Sequence, residues 1–457
     1  MPPEERTVAE SLVERIASLP STLPAEIETA ARLHLLDAIG VGLAASRRGP
    51  ARGLRPATPG KATVLGAATG AGPAEAALIN GTLIHSLEYD DTHTGSVMHG
   101  SSVLAPAVLA MAEDTGADGR DVVRAFALGW EVLVRLGLAS PSGFQRVGFQ
   151  GTSVAGPIAG ALAAALVSGL DPARLIDVAG VAASFSAGNF TFLAGGTSSK
   201  AAQAGIAAQA AVSAVQLVRG GITGASTVFE GERGFFGLYA RDASAAERFR
   251  ESVAGLGSHW YLADAAFKGL PCCHFLHPFV EAIGRLGLAE GEHRRLRRVL
   301  CRVPEGQEHV IALPWDRKQS PVRADEARWS LPYVVALRAV RGRVGLDDFT
   351  GEPDAEVVRF ASRMEWEPWT DSGYPTVFPA ELEAEWDDGT TRVVRVEDVD
   401  GNGTRPWGAG RVAGKFRQNC ADAGIPADAA DAAVRGVLDG DTVQMSAVRA
   451  LSDAAGS

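Results

Sequence analysis

The sequence of 457 residues predicts a mainly α-helical protein with a smaller α+β part. Over roughly the first 265 residues, Ala, Leu, Val and Gly recur at helical spacing. From about residue 268 the chain shows short alternating segments typical of strands, and helical composition returns after a polar loop at 398–408. We therefore expect a large all-helical domain built from both termini, residues 1–267 and 405–457, and a smaller α+β lid domain, residues 268–404.

The N-terminal part is expected to form a series of helices separated by Gly, Pro and Ser clusters. The apolar series Ala30, Leu33, Leu36, Ile39 and Leu43 has helical spacing. Asp171 followed by a proline is typical of a helix start. Further helices are predicted near 73–89, 102–114, 119–137, 152–168, 173–186, 201–218 and 244–255, with a short strand-like piece at Thr63–Leu65.

The lid is expected to combine strands with helices. Arg298–Val303, Arg359–Trp366 and Ala380–Trp386 alternate like strands. The turn Asp387–Gly389 then leads into Thr391–Val396, which predicts a hairpin. Two helices are predicted between these strands, near 276–287 and 329–342.

Charge and composition exclude several classes of protein. With 43 basic and 54 acidic residues the net charge is −11, whereas a nucleic-acid-binding protein needs a basic surface. The 53 glycines and the many alanines favour closely packed helices, with Val154–Leu170 as the most apolar stretch. That stretch is short for a membrane span, so we expect a buried helix and no membrane partner.

The cysteines and the N-terminus indicate a cytoplasmic protein. The four cysteines, at 272, 273, 301 and 420, contain no CxxC pair, which disfavours a zinc or iron–sulfur site and offers no disulfide framework. Residues 1–19 are charged and amphipathic and lack a long apolar segment, so we expect no secretory signal.

The densest polar stretch runs from His85 to Ser102 and holds three of the nine histidines. If the preceding helix continues to Thr92, then His85, Glu88 and Thr92 share one face, with Asp91 beside Glu88. Proton transfer requires such carboxylates, hydroxyls and imidazoles close together. A solvated turn with helix caps is the alternative, but the concentration of histidines favours function.

Three later stretches also carry polar groups. In Ala194–Lys200 a Ser or Thr would cap the following helix and Lys200 could hold a carboxylate; an ordinary cap with a surface lysine is the alternative. Lys268–Pro278 lies at the change in composition, so we expect it at a hinge, either as a Cys–His nucleophile or as a structural linker. Glu326–Tyr333 reads most simply as a helix start with a proline in its first turn.

The order and spacing of these stretches resemble the MmgE/PrpD family, which includes 2-methylcitrate dehydratase, cis-aconitate decarboxylase and an iminodisuccinate epimerase. The resemblance covers residues from about 8 to 418. The matching elements are Leu35–Gly40, Asn80-Gly81 leading into His85–His93, His99, Gly195–Lys200, Pro271–Pro278 and Trp329–Tyr333.

This resemblance implies an all-helical domain with an α+β lid, an active site between them, a homodimer, and no metal or organic cofactor. The family's functional positions then fall on Glu88, Asp91, Thr92, His99, Lys200 and Tyr333.

The chain also departs from the family pattern. Gln150 and Gln203 stand where the family commonly has histidines, and an amide cannot act as an acid or base at neutral pH. His274 stands where Arg is common, and Cys273 stands where the decarboxylase-like members carry His. Two imidazoles are therefore lost and one is gained, which weakens a direct transfer of either activity.

We interpret the chain as a cofactor-independent lyase that dehydrates a small hydroxy polycarboxylate. His99, oriented by Asp91 or Glu88, would remove the proton, and Tyr333 or His274 would protonate the leaving group. Because an acidic protein must concentrate its cations to bind an anion, Lys200, Lys268 and the histidines should line one cleft. The predicted substrate-binding residues are Lys268, Cys273, His274, His277 and Gln150.

Other functions stay open for the same residues. Proton abstraction without a leaving group would give an epimerase or isomerase, and a related acid could be decarboxylated. A non-catalytic binding protein is the alternative from a different class.

Overall fold

The computed structural model describes residues 6–194, 197–438 and 445–456. Residues 1–5, 439–444 and 457 of the predicted helical domain lie outside this described part, as do Gly195 and Gly196 of the predicted lysine loop.

The N-terminal part is helical, as predicted. Its helices are α1 (Val8–Ser18), α2 (Ala25–Arg47), α3 (Pro73–Ser86), α4 (Ser101–Thr115), α5 (Gly119–Ala139), α6 (Gly143–Val147), α7 (Gly151–Val167), α8 (Pro172–Ala183), α9 (Ser199–Arg219), α10 (Phe235–Tyr239) and α11 (Ala245–Ala254). Asp171 caps α8 by accepting a hydrogen bond from the backbone N–H of Arg174, as its sequence suggests. The predicted strand at Thr63–Leu65 is reduced to a single bridge between Ala62 and Ala71.

The helical core is completed by the C-terminal segment. Helices α17 (Ala409–Asp422), α18 (Ala427–Leu438) and α19 (Met445–Gly456) add residues to the same apolar core as α1 to α11. Helix α17 packs on α2, and Nζ of Lys415 lies 2.8 Å from Oδ1 of Asp37 in a buried ion pair. The chain therefore returns from the lid to finish the core that its beginning started.

Residues 272–399 form a second apolar core around a four-stranded sheet. The strands are β1 (Leu296–Pro304), β2 (Met364–Trp369), β3 (Ala380–Trp386) and β4 (Thr391–Val396), in the order β2-β1-β3-β4. Strand β1 pairs parallel with β2 and antiparallel with β3, and β3 and β4 form the predicted hairpin. The accompanying helices are α12 (His277–Gly284), α13 (Glu308–Ile311), α14 (Trp315–Gln319), α15 (Leu331–Arg341) and α16 (Ala355–Ala361).

The mainly α fold with an α+β part is confirmed, whereas one strand prediction is wrong. Arg359 belongs to helix α16, and β2 begins only at Met364. The carboxylate of Asp354 accepts hydrogen bonds from the backbone N–H groups of Glu356 and Val357, which starts a helix where alternation had suggested a strand. The exact domain limits stay a prediction.

Close helix packing explains part of the glycine content. Helices α3 and α9 cross where a Cβ on Gly205 would lie 2.1 Å from the Thr82 hydroxyl oxygen, so only glycine fits there. Helix α9 is also the one described helix long and apolar enough to cross a membrane, but 61% of its apolar window is buried within the protein. Its apolar character is accounted for by its contacts with α3 and α7.

Candidate active site

The polar loop between α3 and α4 is held by short backbone bridges. Helix α3 ends at Ser86, and Glu88 and Val97 take left-handed backbone conformations with φ of 52° and 55°. Thr92 exchanges two backbone hydrogen bonds, of 3.0 and 2.8 Å, with Ala266. The condition that the helix continues to Thr92 is therefore not met, because the helix ends at Ser86 and Glu88 leaves the right-handed helical region.

His99 is held by its own loop at the wall of a cavity. Its Nδ1 lies 2.9 Å from the hydroxyl oxygen of Thr92 and 3.1 Å from the backbone carbonyl oxygen of Asp91. A carbonyl oxygen only accepts hydrogen bonds, so this contact places the proton on Nδ1 and the lone pair on Nε2. Nε2 makes no hydrogen bond within the described residues. Burial lowers the pKa of His99 well below its usual value, and the charges of Lys268 and Lys200 lower it further.

The carboxylate of Asp91 does not orient His99, contrary to expectation. It accepts hydrogen bonds from the hydroxyl and, at 3.1 Å, the backbone N–H of Ser101. Nδ1 of His34 lies 2.7 Å from Oδ2 of Asp91, the oxygen that also accepts the hydrogen bond from the Ser101 hydroxyl. Asp91 therefore contributes to the site through its backbone carbonyl, while its side chain fixes the start of α4.

Glu88 is the centre of a buried charge cluster. Nζ of Lys200 lies 2.5 Å from Oε1 of Glu88, and Nζ of Lys268 lies 3.7 Å from both Oε2 of Glu88 and Oδ1 of Asp90. Burial alone would raise the pKa of Glu88, but Lys200 and Lys268 together lower it to about 2. Asp90 in turn lies 2.7 Å from Nδ1 of His85.

Lys200 lines the cavity, whereas Lys268 does not. Lys268 is completely buried beside Glu88 and does not line the cavity, so this placement does not favour its predicted role in substrate binding. Helix α9 starts at Ser199 without a side-chain cap, contrary to the predicted Ser or Thr cap. The arrangement places one ammonium group at the cavity wall and keeps a second one behind it.

The hinge segment supplies His274 and Cys273 to the cavity. Both ring nitrogens of His274 are buried and have no hydrogen-bond partner among the residues that the structure describes, and burial together with His277 lowers its pKa well below the usual value. Burial and the charge of Glu88 raise the pKa of the Cys273 thiol. A neutral thiol is a poor nucleophile, so the geometry does not favour the Cys–His nucleophile.

Three other predicted residues have mainly structural contacts. Tyr333 is buried in the lid core, where its hydroxyl oxygen accepts a 3.0 Å hydrogen bond from the backbone N–H of Asp354, and it does not line the cavity. The prediction that it protonates the leaving group is not supported by this placement. His277 lies behind His274 with Nε2 3.3 Å from the Cys272 carbonyl oxygen. Gln150 does line the cavity, but its Oε1 accepts a 2.6 Å hydrogen bond from the Ser153 backbone N–H and so caps α7.

The cavity measures about 490 Å³ and is mostly apolar. Sequence reasoning missed much of its wall, because these side chains come from separate segments with no shared local pattern. The apolar and aromatic ones are Phe190, Phe192, Leu193, Phe275, Val310, Trp329, Tyr374 and Phe378. The polar ones include Ser142, Gln145, Arg146 and His309.

The described residues contain no group of three or more His, Cys, Asp or Glu side chains arranged to hold a metal ion. What the arrangement does offer is a neutral imidazole with a free nitrogen, an ammonium group paired with a carboxylate, and a second unpartnered imidazole. These groups suit the removal of a proton next to a carboxylate.

Comparison with protein families places matches on both units of the chain. The MmgE/PrpD N-terminal domain matches residues 10–248, and the MmgE/PrpD C-terminal domain matches residues 270–439.

Curated relatives match at lower coverage. A cis-aconitate decarboxylase of Aspergillus terreus is 29% identical over 307 residues, which is 64% of this chain and 62% of that protein. A cis-aconitate decarboxylase-like protein of Aspergillus oryzae is 28% identical over 74% of this chain and 73% of its own length. The human cis-aconitate decarboxylase is 26% identical over 76% of this chain and 72% of its own. The chain thus matches less than two thirds of the length of the Aspergillus terreus relative.

Proposed function

The chain belongs to the MmgE/PrpD family, and on that basis we propose that it is a lyase that dehydrates a small hydroxy polycarboxylate. The observation that carries the proposal is the neutral imidazole of His99, which lines the cavity and whose Nε2 has no hydrogen-bond partner in the described part of the chain. A positioned base of this kind suits the abstraction of a proton from a carbon next to a carboxylate.

The reaction begins when Nε2 of His99 takes that proton. The electron pair of the broken C–H bond moves into the neighbouring carboxylate, and the ammonium group of Lys200 stabilises the enediolate that forms. The C–O bond at the next carbon then breaks, and the hydroxyl leaves as water with the proton that His99 had taken. The products are an unsaturated acid and water, and His99 is neutral again.

Other residues support these steps. Thr92 and the Asp91 carbonyl hold the ring of His99, so that the same face meets each substrate. His274 has two free ring nitrogens for a hydrogen bond to the leaving hydroxyl. Acid–base groups typically contribute about 10²–10⁴-fold in rate, so the charge of Lys200 must supply a large part of the remaining acceleration.

Decarboxylation is the second candidate, because the curated relatives include cis-aconitate decarboxylases. That reaction needs a proton delivered to carbon. An imidazole whose pKa lies well below its usual value is a weaker match for a proton donor than for a base.

Proton NMR in deuterated buffer tests the proposal with malate, citrate, 2-methylcitrate and cis-aconitate as probes. Dehydration gives new alkene signals without release of CO₂, whereas decarboxylation of cis-aconitate releases CO₂. Exchange of a substrate proton without a new product would indicate the epimerase or isomerase. Binding without turnover would favour a non-catalytic binding protein. If neither these probes nor any substituted malate is consumed and none raises the melting temperature, the lyase proposal is wrong.

The homodimer, the cytoplasmic location and the absence of a cofactor stay predictions.

A further inference from the structure

The cavity has a few polar groups and a wall that is otherwise largely apolar. The helical unit supplies the polar groups around His99, including Thr92, Glu88 and Lys200. Aromatic and aliphatic side chains from both units form much of the remaining wall, and Phe275 and Phe378 of the lid are among them. A ligand that fills the cavity therefore meets a few charged or polar groups and a large area of hydrocarbon.

Few cations face this cavity. Among the described lining residues, Lys200 and Arg146 carry a permanent positive charge. Lys200 already pairs with Glu88, and a guanidinium nitrogen of Arg146 donates to the Pro141 carbonyl oxygen at 2.8 Å. Of the imidazoles, His309 is mostly exposed beside Glu308. Such a wall suits one or two carboxylates, because each further carboxylate would have to leave water without a counter-charge.

The size of the cavity exceeds what these polar groups need. Its volume of about 490 Å³ lies within the range of ~300–1,000 Å³ that holds drug-sized ligands. Most of the remaining lining residues are aromatic or aliphatic. A small acid held at Lys200 would leave much of this apolar wall in contact with water, which is unfavourable for apolar surface.

We propose that the substrate is a hydroxy dicarboxylate that carries an alkyl or aryl substituent of several carbons. One carboxylate lies at Lys200, and the substituent lies against the apolar side chains of Phe275, Val310 and Phe378. This inference rests on the proposed lyase function and extends it by naming the part of the substrate that the lid recognises. The substituent takes no part in the reaction and contributes by burial.

Two series of compounds test the inference. Succinates substituted with methyl, butyl, hexyl or benzyl cannot lose water, so they measure binding alone. Each buried CH₂ should lower Kd roughly fourfold, the equivalent of ~0.8 kcal/mol. Malates with the same substituents on carbon 2 measure turnover, and kcat/KM should rise along the series in the same sense.

A pair of matched variants locates the effect. Val310→Ser removes two methyl groups from the apolar wall and should raise the Kd of hexylsuccinate roughly three- to tenfold while leaving that of succinate unchanged. Val393 is 54% exposed on β4 outside the cavity, so Val393→Ser should change neither constant.

The outcomes separate the two proposals. If malate and hexylmalate are dehydrated equally well and the succinates bind equally tightly, the inference is wrong and the lyase function stands. If hexylsuccinate binds more tightly than succinate but no hydroxy acid is consumed, the lyase function fails and the apolar recognition stands. Loss of chain-length preference in Val393→Ser would also contradict the assignment of the substituent to this wall.

Discussion

Nδ1 of His99 lies 2.9 Å from the hydroxyl oxygen of Thr92, within a loop that also presents the Asp91 carbonyl to the same nitrogen. The base is therefore oriented by a neutral hydroxyl and a backbone carbonyl rather than by a carboxylate. This arrangement leaves the imidazole uncharged and keeps Nε2 available, which makes the role of each group separable by mutation.

His99→Asn should lower kcat by about 10²–10⁴-fold with little change in KM, because the amide N–H can still contact the Asp91 carbonyl but no base remains. Initial rates with the substrate identified by NMR give the values. His259→Asn is the control, since His259 is exposed and does not line the cavity. Turnover within threefold of the parent protein would rule out His99 as the base.

Thr92→Val should lower kcat roughly three- to tenfold, because one hydrogen bond to His99 contributes ~0.5–1.5 kcal/mol. The side chains of threonine and valine have nearly the same shape, so the fold should be unaffected. Thr92→Ser restores the hydroxyl and should restore most of the rate. A purely structural role would predict that Thr92→Val and Thr92→Ser both change the melting temperature and neither specifically changes kcat.

Lys200→Met should lower kcat/KM roughly 10- to 100-fold, with kcat falling because the enediolate loses its counter-charge, since a charged hydrogen bond to a carboxylate contributes ~1.5–3 kcal/mol. The same change leaves Glu88 with one cationic neighbour fewer, so its pKa should rise from about 2. Steady-state kinetics measure the first effect. A shift of the acidic limb of the kcat/KM profile to higher pH would report the second. Lys61→Met, at an exposed position, is expected to match the parent.

Tyr333→Phe should leave turnover unchanged and lower the free energy of unfolding by about 1 kcal/mol, because the Asp354 backbone N–H loses its acceptor. Urea denaturation and initial rates test the two parts separately. A tenfold loss of kcat without loss of stability would show that the tyrosine reaches the reacting atoms after all.

The stability of the protein should fall as the pH drops below 6.5. Burial, aided by nearby cations, lowers the pKa of His93 to about 4 and that of His277 to about 3, and it also lowers those of His99 and His274. Unfolded histidines bind protons below about pH 6.5, so the unfolded state then holds more protons than the folded state. Each such histidine should reduce the free energy of unfolding by up to ~1.4 kcal/mol per pH unit.

Urea denaturation at several pH values between about 7.5 and 5 measures this slope. His93→Asn should make the slope shallower, because one histidine no longer contributes to it. The fold should tolerate this change, because an asparagine oxygen can still accept the hydrogen bond from the Ser96 backbone N–H. His309→Asn changes an exposed side chain and should leave the slope unaltered. If the free energy of unfolding does not change between about pH 7.5 and 5, the folded state binds protons on these histidines as readily as the unfolded state does, which would contradict the prediction.

The sequence pattern predicted the helical units, the hairpin and the family, because periodicity and short ordered motifs depend on local chemistry. It also identified the loop that holds Thr92 and His99. It failed where the outcome depends on atoms far apart in the chain. Whether Lys268 faces a ligand or stands behind Glu88 depends on how the lid meets the helical unit, and no spacing rule encodes that.

The same reasoning explains two further differences. Tyr333 belongs to a matching motif, but the direction of its side chain follows from the packing of α15 in the lid core. The turn at Glu88 requires a left-handed conformation that glutamate seldom adopts, so propensity alone favoured continuing the helix. The apolar wall was missed because its members share a surface only after folding.

The pairing of α17 with α2 has a consequence for synthesis on the ribosome. Lys415 and Asp37 are separated by 378 residues, so α2 is made long before its partner helix. At ~5–20 residues per second, the ribosome needs roughly 20–75 s to cover that distance. During this interval the nascent chain exposes the apolar groove that α17 will later fill, and a chaperone that shields it would raise the yield of folded protein.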